Sequence, residues 1–285
     1  MVTLYALFGI ILVTGKVLVQ PFGHSYNQAL FTFSLHIWPS EYQHIIRILL
    51  ATFIGFYDSM LAFLAVQFMF RLLSLLQSVH VQLFDGFGMI GWLLYPILSG
   101  AVFSSIYDGL AISDDYTDEY LRDVVFEVYG MQIKNTARFV LDPYTADKSP
   151  RWKSLICISL ESVLLQLQYS IIVYCGFKIY SVMSDKLKLM SHMNQVLQKQ
   201  LFKALILQTF VPTVLFVMPA FPLFFIPILD IEFSFPTGCI VTLFSFYPAI
   251  ESIAFMWIVR EFRRAIKGLC CSTKVHSQPP STVAN

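Results

Sequence analysis

The stretch FPTGCIVTLFSFYPAIESIAFMWIVREFRRAIK, residues 235–267, decides how the rest of the chain is read. Between residues 237 and 259 it carries one acidic or basic side chain, Glu251. At about 1.5 Å per helical residue this run is long enough to cross a hydrocarbon core of about 30 Å. Arg260, Arg263, Arg264 and Lys267 follow directly, against Glu261 alone. An excess of Lys and Arg marks the cytoplasmic flank of a span, so the chain is expected to end inside the cell.

The composition agrees. Residues are 56% hydrophobic and 13% charged, with a mean hydropathy of +0.66, whereas soluble domains carry about 25% charged residues. Pro and Gly stand inside apolar runs, as membrane helices tolerate. A net charge of +1 gives no argument for a nucleic-acid partner, and none is expected. The expected fold is all-α: a polytopic transmembrane helix bundle in a lipid bilayer.

Working back from the last run, five more spans are read at 1–20, 45–76, 87–107, 152–183 and 201–229, six in all. The first carries Lys16 late in the run and reads as a retained span, because a signal peptide places its charge before the apolar core. Arg47 and Arg71 bracket the second, with Asp58 near its middle. In residues 21–45 an alternating patch (Leu30, Phe31, Phe33, Leu35) predicts a short hairpin. Residues 108–151 read as a long polar loop. Loop 184–203 holds Lys186, Lys188, Lys199 and Lys203 against Asp185, so it is placed inside. Loops 21–45 and 230–235 lack Lys and Arg and are placed outside; alternation then puts 108–151 outside and Met1 inside. Residues 1–268 form the membrane domain and 269–285 a cytoplasmic tail.

Several blocks carry a family likeness: Tyr120-Leu121-Arg122-Asp123 with Glu127-Val128-Tyr129-Gly130; Ile171-Ile172-Val173-Tyr174-Cys175-Gly176-Phe177-Lys178; residues 197–205 (LQKQLFKAL) with Gln208-Thr209 and Val211-Pro212; and Phe246-Tyr247-Pro248-Ala249-Ile250-Glu251. In this order they resemble the Str-type nematode seven-transmembrane chemoreceptors, a branch of the G protein-coupled receptors. At position 251 that family more often has Asp. Gln67-Phe68-Met69-Phe70-Arg71 keeps only the arginine of the rhodopsin-type motif. In this alignment residues 1–20 correspond to the family's second helix, so the resemblance implies a seven-helix fold without its first helix. It also implies a chemosensory receptor in the plasma membrane of a sensory neuron. Such a receptor would detect a small, volatile, odorant-like molecule and signal to a heterotrimeric G protein. The family's usual disulfide to the second extracellular loop has no partner here, since no cysteine precedes Arg151. Cys157 and Cys239 both fall near outer span ends.

Asp58 and Glu161 lie within spans, where an ionised carboxylate costs several kcal/mol or more unless paired or hydrated. They are candidate ligand contacts, together with Lys16 and Gln166; interhelical hydrogen bonding is the alternative role. Lys16, near the outer end of its span, can snorkel or pair with either carboxylate. Glu251 is read as a switch or structural polar group, with Tyr247, Ser245 and Ser252 on the same seam. Pro212 and Pro219 are candidate hinges, because proline removes a backbone donor and kinks a helix. Arg71, Lys199, Lys203, Arg263 and Arg264 are expected to form the G-protein face. Cys270 and Cys271, after a basic stretch, fit a palmitoylation site. No cofactor, metal or catalytic group is expected: His24, His36, His44, His80, His192 and His276 lie in loops or near span ends without metal-ligand spacing. The rival readings are a secondary transporter or channel subunit, and a truncated isoform that does not signal.

Overall fold

A computed structural model describes residues 2–188, 191–219 and 234–245, with single positions at 222, 229, 250, 253 and 258. The helices are α1 (Val2–Val19), α2 (Gln43–Leu75), α3 (Phe87–Leu110), α4 (Asp115–Tyr129), α5 (Trp152–Lys188), α6 (His192–Pro212) and α7 (Gly238–Ser245). The strands are β1 (Pro21–Tyr26), β2 (Ala29–Ser34) and β3 (Arg138–Leu141). Among the described residues α2, α3 and α5 are long and apolar enough to cross a membrane, and Gly9–Val19 is a shorter apolar helix. These three match the expected spans at 45–76, 87–107 and 152–183. Part of the expected sixth span, 235–259, and most of the end of the fifth lie outside the described residues.

Helix α2 runs through the centre because it is apolar on every side, and such a helix must be surrounded. All residues from 58 to 68 are buried, with α1, α3, α5 and α6 packed around it. Helices α3 and α5 bury one face each and leave Leu94, Leu98, Val163, Val173 and Phe177 exposed, an apolar surface suited to lipid tails. The α2–α3 contact is especially close. A Cβ on Gly55 would meet the Gly100 carbonyl oxygen at 2.3 Å, and one on Gly100 would meet the Gly55 carbonyl oxygen at 2.6 Å. Gly55 and Ser59 on one helix, and Gly100 and Ser104 on the other, form small residues spaced by four, which let membrane helices approach closely. Arg47 and Asp108 join the same two helices at one end, 3.2 Å apart.

Two regions differ from expectation. Helix α5 continues past 183 to Lys188, where Lys186 and Lys188 in its last turn complement the helix dipole. The segment 108–151, read as a loop, contains α4 and β3. Asp114 caps α4: its side chain accepts from the Thr117 amide at 3.0 Å while Thr117 Oγ1 accepts from the Asp114 amide at 2.9 Å, a reciprocal capping box. Gly130 ends the helix with φ 67°, the left-handed stop that glycine adopts without penalty. Thr117, Leu121 and Val125, each four residues apart, form its buried stripe.

The expected hairpin forms, with Asn27 in the turn at φ 48°. It is one part of a larger layer. β2 pairs with both β1 and β3, all antiparallel. Strand alternation sends residues to two buried faces. Leu30, Phe139 and Leu141 pack against Tyr107, Ile158 and the start of α2, while Ala29, Phe31, Phe33 and Val140 pack under α4 against Leu121 and Val125. The sheet is therefore a slab between α4 and one end of the bundle. Each edge strand makes one outer bridge, Ser25 with Phe235 and Ile112 with Phe139.

Ion pairs fasten the slab. Arg138 of β3 forks onto Asp118 of α4, Nε to Oδ1 at 2.8 Å. Arg151 bonds Asp142 at 3.1 Å and also reaches Asp114. Burial pushes the Asp142 carboxyl above its ordinary value, with Arg151 offsetting only part of the rise. For Asp114 partial burial pushes the same way, but the Thr117 hydrogen bonds and Arg151 outweigh it and hold that carboxyl low. Cys157, Cys175 and Cys239 are free thiols.

Candidate functional site

Beneath the slab, polar side chains from three helices meet in the apolar bundle. Asp58 of α2 is fully buried, and Glu161 and Gln168 of α5 are 2% and 1% exposed. They converge because α5 advances about 100° per residue, so positions seven apart nearly superimpose. Gln166 is five from Glu161 and falls on the exposed face. Gln168 is the inward glutamine. On α3, Tyr95 and Ser99 share a face one turn apart.

The hydrogen bonds run in one direction. Tyr95 OH donates to Gln168 Oε1 at 3.0 Å. Gln168 Nε2 donates to Ser99 Oγ at 3.2 Å. Ser99 Oγ donates to Asp58 Oδ2. The string ends on an acid, the acceptor-only group such a string requires. Nearer the slab, Glu161 is hydrogen-bonded to Cys157, with Asp58 within electrostatic reach. Tyr107 lies close to Glu161 and meets Thr32 of β2 at 3.3 Å. A polar column thus leads from the sheet into the bundle centre.

Lys16 is half-buried near the end of α1 and forms no ion pair with Asp58 or Glu161 among the described residues. Tyr95, Ser99 and Gln168 escaped the sequence reading, although Tyr95 and Ser99 are four apart and Gln168 follows Glu161 by seven. The missing information was which helices adjoin.

The fifth expected span carries a local irregularity at the candidate hinge. Helix α6 ends at Pro212, and Thr213–Val217 follow as a π-helical turn, with Pro219 helical beyond it. Missing proline donors and π-bulges are both recognised origins of kinks. Thr213 Oγ1 donates to Thr209 O at 2.7 Å and meets Tyr169 OH of α5 at 3.2 Å. At the bundle end opposite the slab, Arg71 lies in a cleft with Leu75, Ile179, Met183, Gln198 and Phe202. Lys199 and Lys203 are exposed on α6 beside that cleft. Tyr247, Glu251, Ser252, Arg263, Arg264, Cys270 and Cys271 lie outside the described residues. Ser245 ends α7, and its side chain is likewise outside them.

Membrane-length helices around a buried polar centre define a polytopic helical membrane protein. The profile of the serpentine type 7TM GPCR chemoreceptor Str family matches residues 1–267, and the chain belongs to that family. It is 36% identical over 275 residues to G-protein coupled receptor str-33 of Caenorhabditis elegans, covering 94% of this chain and 80% of that one. Serpentine receptor class r-10 of the same nematode is 25% identical over 213 residues, covering 73% and 62%. G-protein coupled receptor str-217 is 25% identical over 223 residues, covering 76% and 64%. This chain thus spans a little under two thirds of the latter two. No solved structure matches.

Proposed function

We propose that this chain is a chemosensory receptor of a sensory neuron's plasma membrane. It binds a small, volatile organic molecule at the Asp58–Glu161 centre and signals to a heterotrimeric G protein. The observation that carries this reading is the buried string ending on Asp58. Acids inside a membrane bundle are costly and mark functional centres by default, and the string fixes one of them in place. In this reading the slab faces outward and roofs the ligand, while Arg71, Lys199, Lys203, Arg263 and Arg264 meet the G protein at the other end. Pro212 and Pro219 flank the hinge, Glu251 with Tyr247, Ser245 and Ser252 forms the switch, and Cys270 and Cys271 carry lipid on a cytoplasmic tail.

The test is G-protein activation in cells expressing the receptor, challenged with volatile organic molecules. Lys199→Gln with Lys203→Gln should cut the response several-fold at equal surface expression. Unchanged signalling would refute the assigned face, and concentrative uptake of labelled ligand would mark a transporter instead. Cysteine labelling at residues 114–119 only after permeabilisation would reverse the orientation.

A further inference from the structure

Two carboxyl groups in the bundle stand without a base among the described residues. Among the described residues, Oδ1 of Asp58 and Oε1 of Glu161 accept no hydrogen bond. Neither acid is paired with a Lys, Arg or His there, and Arg47 is committed to Asp108. Breaking a buried ion pair is costly because it leaves one charge uncompensated. This centre has the acidic half of such a pair twice over.

We infer that the polar centre receives a singly charged ammonium head, with Asp58 Oδ1 and Glu161 Oε1 as its acceptors. The inference rests on the receptor reading and narrows its ligand class from small organic molecules to organic amines. An ammonium brings three donors and no acceptor, which matches two open carboxyl oxygens. The Tyr95–Gln168–Ser99 string already places one hydrogen bond on the other oxygen of Asp58, so it holds that carboxyl group in place and leaves Oδ1 open. A divalent metal is the poorer fit. Such ions take six or more oxygen ligands, and no group of three or more His, Cys, Asp and Glu gathers among the described residues. Sodium shares the single charge and is the inorganic source of the same chemistry.

The test uses the purified receptor in lipid nanodiscs, followed by thermal unfolding at constant ionic strength. Isopentylammonium is compared with isopentanol, its neutral counterpart, and sodium chloride with N-methyl-D-glucamine chloride. Isopentylammonium should raise Tm at concentrations about tenfold to a hundredfold below those at which isopentanol does, the ratio expected for a charge-assisted hydrogen bond. Asp58→Asn and Glu161→Gln, both near-isosteric, should each abolish that preference. The wild-type comparison stands even where a variant fails to fold. Stabilisation by sodium alone, lost in both variants, keeps the cation site and assigns it to the ion. Equal shifts from amine and alcohol, or shifts that survive both substitutions, would overturn the inference. The two readings fail separately. G-protein activation by neutral volatiles in the wild type, together with equal Tm shifts from amine and alcohol, leaves the receptor reading intact and removes the ammonium site. An amine-dependent Tm in a receptor that never activates a G protein does the reverse.

Discussion

Gly55→Ala should force α2 and α3 apart. The added Cβ would sit 2.0 Å from Ser104 Oγ and 2.3 Å from the Gly100 carbonyl oxygen. The hydroxyl can turn to another rotamer, but the backbone oxygen cannot. Carbon and oxygen rest about 3.3 Å apart, so the helices must separate by about 1 Å, which forfeits a quarter to a half of the dispersion attraction across the gap. Overpacking of this kind costs about 1–3 kcal/mol, and replacing a helical Gly by Ala returns at most about 1 kcal/mol. The net expectation is a loss of about 1–2 kcal/mol, or about 2–6 °C in Tm for a chain of this size. Ser99 adjoins Gly100, so the separation also stretches the bond from Ser99 to Asp58. Gly91→Ala is the control, since a Cβ there meets nothing within 4 Å. The assay is thermal unfolding of the purified receptor, with surface expression measured alongside. A Gly55→Ala receptor that melts at or above the wild type, with Gly91→Ala gaining the helical Gly-to-Ala benefit of up to about 1 kcal/mol, would refute the close crossing.

Two further outcomes concern the slab. Arg151→Ala should leave Asp142, which is 2% exposed, as an uncompensated buried acid and cost about 3 kcal/mol; Asp142→Asn, which removes the charge itself, should cost clearly less in the same thermal melt. A smaller loss from Arg151→Ala than from Asp142→Asn would contradict the pairing. Burial holds the His24 imidazole below its ordinary value of 6.5, between Phe31, Tyr129 (OH at 2.6 Å) and Ser234. Its contribution is therefore whole above pH 6.5 and is lost as the pH falls toward the folded value, where the unfolded hairpin takes the proton first. The protection factors of amides in β1 and β2, exchange taken relative to its intrinsic rate at each pH, should fall between pH 7.5 and 5.5 (roughly the histidine range) in the wild type and not in His24→Phe; an equal fall in both would exonerate His24.

Hydrophobic run length, charge and alternation were legible along the chain because each is a local property. The apolar runs at 45–76, 87–107 and 152–183, Asp58 midway between Arg47 and Arg71, and the Leu30–Leu35 alternation announced membrane-length helices, a buried acid and a hairpin before any contact was known. The signals of α4 were also present, in Asp114, Thr117 and Gly130, but the acidic surface of that segment masked a buried stripe only three residues long. What lies across from what was beyond local reading. Hydrophobic periodicity marks a face of a helix without naming the neighbour that covers it, so Gln168 could not be preferred over Gln166 until α3 supplied Ser99 and Tyr95. The match of Gly55 to Gly100 and the merging of residues 25, 112, 139 and 235 into one sheet arise between segments far apart in sequence. Only the packed bundle, in which backbones approach and strand edges must find partners, decided them.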